Sequence, residues 1–403
     1  MNNTLNLSYE EYFASGRPDG RYVTLMAARM EQMRRQKAEL ALPEQLDKAG
    51  FEAWQQAVKQ RLTRQLNLPE ATPQPAPVML SSVQRDGYRV EKWELYPDAF
   101  AVVPFLALIP DEASEQSPVP GVICFPDSGC PKEFSAGEPA LDHPNCRYAG
   151  GEDERMALYL VKNGMAAFVF DNPGDGECSV WSDPEAGSTQ EYVREILCHG
   201  LLEMGWSFAA VSVFQKLNFL DNLSSFPCVD ARRIGLCAHG LGADSAILLG
   251  LLSDKVSCLV FNDILRDERY LVGATTEHHQ VKMEHELEKW QIFAGKMKAY
   301  GYQDLCAAFA PRPLALTEGG ADQLVNTVRR GYAACGAEEN LQVDYYPAYA
   351  DPAARQLSKL PELGMSRSEF ARYSYVDGVE RRFRGEKAVA MLNKCFKEVC
   401  AHV

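Results

Sequence analysis

The chain has 403 residues, 41 Lys+Arg against 55 Asp+Glu, a formal net charge of −14, and 46% hydrophobic against 24% charged residues. That balance builds a packed globule and excludes disordered, collagen-like and coiled-coil readings. The acidic surplus argues against nucleic acid and anionic membrane as partners, because affinity for phosphates comes from Lys and Arg, and the densest basic run, Arg381-Arg382-Phe383-Arg384, is short.

The first residues show neither the basic nor the apolar segment of a secretory leader, and the longest apolar stretch, residues 100–110, falls far short of the ~20 residues a bilayer demands. A cytoplasmic, membrane-free protein is expected. Twelve cysteines are scattered singly, without CxxC pairs or zinc-like Cys/His spacing, so reduced thiols, no metal and no cofactor are expected.

In chain order, residues 8–68 read as helical and amphipathic, with Leu25, Met26, Ala28, Met30 and Met33, then Phe51, Trp54, Ala57 and Leu62, recurring three and four apart. Pro69, Pro73, Pro75 and Pro77 break that period, so residues 1–77 form a helical arm with a proline-rich linker. Such an arm serves a homodimer contact or covers its own domain, and the pattern does not choose between them.

From Val78 the period becomes that of strands, at 78–83, 88–96 and 101–108, with Asp86-Gly87 and Pro97-Asp98 as turns. Short apolar runs then alternate with helical segments: 121–125, 166–171, 234–238, 258–262, 313–317 and 341–346. Runs of this kind are strands buried on both faces, joined by crossovers into a parallel sheet. Residues 78–403 are therefore expected to form an α/β three-layer sandwich with antiparallel first strands, and the insertion at about 265–302 to act as a cap over a pocket.

Ligands of such sheets bind at the carboxyl ends of the strands. Three stretches there carry a resemblance: Pro126-Asp127-Ser128-Gly129-Cys130-Pro131-Lys132-Glu133, Ala238-His239-Gly240-Leu241-Gly242, and Pro311-Arg312-Pro313 through Asp322, with Asp171 to Glu177 between the first two. Together they resemble the dienelactone-hydrolase and acetyl-xylan-esterase-like group of α/β-hydrolases, from about residue 80 to 400. The resemblance implies an oxyanion loop at 126–133, a nucleophile elbow at 238–242 and a triad acid at Asp322.

Two departures matter. Gly240 stands at the nucleophile position, where the elbow of a serine hydrolase reads Gly-x-Ser-x-Gly. The triad His should follow the acid, yet only His402 lies beyond Asp322, and Glu380 or Arg381 occupies the matching place. An orienting carboxylate with nothing to orient supports no Ser–His chemistry.

The expectation is a non-hydrolytic member of the group that binds a small carbohydrate-derived or acyl-type ligand through Asp127, Ser128, Gly129, Gly240 and Leu241. The backbone N–H groups of Ser128 and Leu241 would be aimed at its oxygen. The alternative is an enzyme working by other acid/base groups, namely Asp322, Glu380 and His239. Cys237 and Cys130 read as structural or incidental, and Glu133, Asp171, Glu177 and Asp263 as caps and loop anchors. His278, His279 and His285 lack the i, i+4 spacing of a zinc helix.

Overall fold

A computed structural model describes residues 15–23, 25–127, 129–138, 155–179, 190–262, 265, 292–317, 319–345, 350–355 and 383–401. Its elements begin with α1 (Leu25–Arg35), α2 (Lys48–Leu66), β1 (Val78–Gln84), β2 (Tyr88–Leu95), β3 (Val103–Pro110), β4 (Val119–Phe125), α3 (Lys132–Ala136), α4 (Met156–Val161) and β5 (Ala166–Phe170). They continue with α5 (Gln190–Glu203), α6 (Phe208–Asp221), β6 (Val229–His239), α7 (Gly242–Leu252), β7 (Cys258–Asn262), α8 (Lys296–Ala299), α9 (Tyr302–Ala308), β8 (Leu314–Leu316), α10 (Asp322–Ala334), β9 (Leu341–Val343) and α11 (Gly385–Ala401).

The strands form one sheet in the order β1-β2-β3-β5-β4-β6-β7-β8-β9. Pairs β1/β2, β2/β3 and β3/β5 are antiparallel, whereas β5/β4, β4/β6 and β6/β7 are parallel. The expected architecture of antiparallel first strands followed by parallel ones is thus present. Strands β3, β5 and β7 are buried along their whole length, which is why they read as unbroken apolar runs rather than alternating ones. Edge strand β1 is exposed throughout. Strand β6 starts five residues before its apolar run, because Val229 extends the ladder to Val119.

Contacts divide the chain into two compact units. The first holds Leu62–Asn262, Arg312–Ala315 and Arg382–Val403, and the second Met1–Arg61, Asp263–Pro311 and Leu316–Arg381. In the second unit the Leu42 amide donates to Asp304 Oδ1 at 2.8 Å, Gln55 Nε2 to the Ala308 carbonyl at 2.8 Å, and Trp54 Nε1 to the Leu40 carbonyl at 3.0 Å. The buried stripe of α2 is Phe51, Trp54, Val58, Leu62 and Leu66. Val58 takes the place the sequence reading assigns to Ala57, since spacing of four keeps a stripe on one side of a 3.6-residue helix. Most of the insertion, 266–291, lies outside the described residues.

Cys124, Cys237 and Cys258 are free thiols buried in strands, as expected. No single helix among the described residues is long and apolar enough to cross a membrane.

In the first unit, Phe105, Phe168, Phe170, Phe219 and Phe226 pack edge-on and stacked, with centroids 4.8–6.2 Å apart. Lys216 of α6 is buried beside this cluster, its Nζ 5.2 Å from the Phe170 ring centroid. Among the described residues the ammonium donates to neutral oxygens, Ser212 Oγ at 3.3 Å and Gln215 Oε1 at 3.4 Å. Burial pulls its pKa down to about 8, with weaker opposition from Cys178 and Asp171. Between pH 8 and 10.5 the unfolded chain therefore binds the proton that the folded chain has released, so stability rises with pH across that window. Below pH 8 the full cost, about 3 kcal/mol, is present. Lys216→Met is expected to stabilise the protein at pH 7 by up to that amount, and denaturant melts of the two proteins should converge by pH 10.5. Parallel curves across this range would contradict the assignment.

Candidate functional site

Strand β6 ends at His239, the chain turns through Gly240 and Leu241, and α7 starts at Gly242. Gly240 has φ +50°, a conformation that a side chain makes costly, and its amide donates to the Asn262 carbonyl at 3.0 Å. A Cβ on Gly242 would be driven into the Phe125 carbonyl oxygen and would lie 2.6 Å from that of Pro126. The turn therefore lies directly against the end of β4. Helix α7 is buried from Gly242 through Leu251, so its small N-terminal residues let it follow β6 tightly into the core. At the apex the turn presents backbone alone.

The loop after β4 meets this turn. Asp127 Oδ1 accepts the Leu241 amide at 2.8 Å. Gly129 donates its amide to Asp175 Oδ2 at 3.1 Å, and Asp175 Oδ1 pairs with Arg194 Nη1 at 2.8 Å. Asn172 Nδ2 reaches the carbonyls of Pro126 and Asp127, both at 3.4 Å. Burial raises the Asp175 carboxyl to about 6, against the opposing pull of Arg194 and the Gly129 amide.

Below the loop is a buried ionic knot. Lys132 Nζ, fully buried, lies 2.7 Å from Asp171 Oδ2, 2.8 Å from Glu133 Oε1 and 3.0 Å from Glu177 Oε2. Asp171 also accepts the amides of Lys132 at 2.8 Å and Glu177 at 3.0 Å, and Lys92 Nζ caps Glu177 Oε1 at 2.8 Å. Burial alone would favour a neutral Lys132, but Asp171 and Glu133 outweigh it and hold the ammonium above its ordinary pKa. Burial pushes Glu133 upward despite Lys132. For Glu177, bonds from Lys92 and Lys132 win over desolvation and lower it.

Asp171, Glu133 and Glu177, expected as caps and anchors, are thus ion-paired to one lysine. The sequence reading did not single out Lys132 as their partner. The available signal was a Lys-Glu pair just after one buried strand and an Asp at the end of the neighbouring one.

Of the residues the sequence nominates, the structure brings Asp127 onto Leu241 and holds Gly129 beside them through Asp175. The Leu241 amide, expected to face a ligand oxygen, is engaged by the chain's own carboxylate instead. His239 is 3% exposed and sits immediately before the apex, with Nε2 buried and without a hydrogen-bond partner among the described residues. Asp322 is the first residue of α10, in the second unit. Ser128, Glu380, Asp263, His278, His279 and His285 lie outside the described residues. Cys130 and Cys237 are buried. No group of three or more His, Cys, Asp or Glu among the described residues has the geometry of a metal site.

Comparison with known proteins follows the same lines. The Abhydrolase family model matches residues 7–394. A crystal structure from Bacteroides fragilis NCTC 9343, provisionally an acetyl xylan esterase, is 31% identical, covers 95% of this chain and 97% of its own, and superposes with a TM-score of 0.83. A methylesterase at 18% identity (89% and 78% covered, TM-score 0.51) and a glucuronoyl esterase from Solibacter usitatus at 13% (84% and 99%, 0.50) share the fold. None of the curated proteins compared matches. With its sheet order, its strand–turn–helix at Gly240 and a family match over nearly its whole length, the chain belongs to the Abhydrolase family of esterase-like α/β-hydrolases.

Proposed function

We propose that this chain is a non-hydrolytic member of its family, a pseudoenzyme that binds a small ligand rather than cleaving an ester. The observation that carries this reading is Gly240: the turn keeps the positive φ, +50°, of a strained elbow, yet its apex has no side chain. Acyl-enzyme chemistry needs an oxygen or sulfur nucleophile there, with a base within hydrogen-bond reach. The buried neighbours supply neither, since Cys237 lies within β6 and His239 Nε2 has no hydroxyl or thiol within hydrogen-bond reach among the described residues.

Of the two ligand classes the sequence suggests, the carbohydrate-derived one is the better supported. The 31%-identical relative bears an acetyl xylan esterase assignment, and the amide that would hold an acyl oxygen here is already bonded to Asp127.

The test is labelling of the intact protein with a fluorophosphonate probe alongside aryl-acetate turnover. Both are expected to match a heat-inactivated control. Stoichiometric labelling at one residue would overturn the proposal.

A second reading rests on His239. Its Nε2 is buried and unbonded among the described residues, as a general base waiting for a substrate proton would be. In that reading its imidazole moves a proton in lyase or water-mediated chemistry. An activity abolished by His239→Ala but kept in His239→Gln would speak against proton transfer by the imidazole, and loss in both would support it.

A further inference from the structure

In hydrolases of this fold, the amide of the residue after the nucleophile is one of the donors that hold the oxyanion of the tetrahedral intermediate. Here that residue is Leu241, and its N–H is 2.8 Å from Asp127 Oδ1. We propose that Asp127 is a built-in occupant of the oxyanion hole: its carboxylate oxygen stands where a substrate oxygen would stand, closing the site to acyl oxyanions independently of Gly240. This inference rests on the reading of the Gly240 turn as a nucleophile elbow.

Three physical points support it. One amide proton serves one short acceptor, so a second oxygen cannot reach Leu241 without displacing the first. A carboxylate accepting from a backbone amide forms a charge-assisted bond, roughly twice the strength of a neutral one. Its position at the start of α7, an eleven-residue helix, adds the attraction of the helix N-terminus for negative charge. An arriving oxyanion therefore meets both an occupied donor and a like charge.

The loop carrying Asp127 is also held from outside. The Gly129 amide is bonded to Asp175, Asp175 to Arg194, and Asn172 reaches the carbonyls of Pro126 and Asp127. Aspartate commonly caps helices. What is specific here is the amide it caps, the one directly beyond the apex.

The closure makes a distinct claim about repair: restoring a serine at 240 and a histidine base leaves the transition state without this donor. Removing one such donor from a working enzyme costs about 10²–10³ in kcat.

The test uses the full chain labelled with ¹⁵N-leucine, with the Leu241 amide assigned by its loss in Leu241→Met, and acetate as the oxyanion probe. In the native protein and in Asp127→Asn, whose amide oxygen still fills the hole, the Leu241 signal is expected not to respond to acetate. In Asp127→Gly and Asp127→Ala the same signal should respond saturably, at acetate concentrations at least tenfold below any at which the native signal moves.

A native Leu241 signal that follows acetate as the Gly and Ala variants do would overturn the inference. So would folded Gly and Ala variants that gain nothing. If Asp127→Asn gained as much as Asp127→Gly, repulsion by charge rather than occupancy would be acting, and the inference would again fail. Fluorophosphonate labelling of the native protein reports separately on the non-hydrolytic reading, so the two can fail independently.

Discussion

Gly242→Ala is expected to be severely damaging for a single added methyl. The added Cβ has no room, because the neighbouring atoms are the backbone carbonyls of Phe125 and Pro126 rather than the tip of a yielding side chain. Relief requires α7 to move away from β4, and α7 is packed into the core along its length. Overpacking of this kind costs typically 1–3 kcal/mol, and a backbone collision belongs at or above the top of that range. For a unit of this size each kcal/mol lowers Tm by roughly 2–4 °C, so a fall of about 6–12 °C or insoluble protein is expected. Gly200→Ala is the control: nothing lies within 4 Å of its Cβ and its helix α5 is regular, so the same chemical change there should be neutral or stabilising by about 0.5–1 kcal/mol. Equal melts for the two variants would show that the turn is not pressed against β4.

Asp171→Ala should be nearly as severe, for an electrostatic reason. The carboxylate accepts from the amides of Lys132 and Glu177 and from Lys132 Nζ, all inside the protein. Truncation leaves a fully buried ammonium with one close buried carboxylate, Glu133, and the partly exposed Glu177. Removing one partner of a buried pair costs roughly 3–5 kcal/mol, far more than the pair contributes relative to an apolar substitute. The double change Lys132→Met with Asp171→Ala is therefore expected to be less than additive, recovering part of the loss. Chemical denaturation of the two single variants and the double variant measures that coupling, and strict additivity would deny the ion pair.

Much of this architecture is legible before any coordinates. Val103–Pro110, Val119–Phe125, Ala166–Phe170 and Cys258–Asn262 are apolar enough on both faces that burial between helix layers is their only stable environment. The glycine apex is legible too, because Ala238-His239-Gly240-Leu241-Gly242 sits at the end of such a run. Less visible is the phase of α2, where Ala57 and Val58 both suit an apolar stripe locally and only the packed helix selects Val58. The ionic knot is less visible still: Lys132 lies 39 positions from Asp171, and no local period links them.

The alternation of apolar runs with helical segments, and the residue type at position 240, were determined by sequence alone, since both depend on neighbours a few positions away. Tertiary structure decided what Asp127 does. Its carboxylate and the Leu241 amide are 114 positions apart. Whether a loop aspartate faces solvent, caps a helix or fills an oxyanion hole depends on how closely the ends of β4 and β6 approach. That approach is set by the register of adjacent parallel strands and by the missing Cβ of Gly242, not by anything in the Asp127 neighbourhood of the chain.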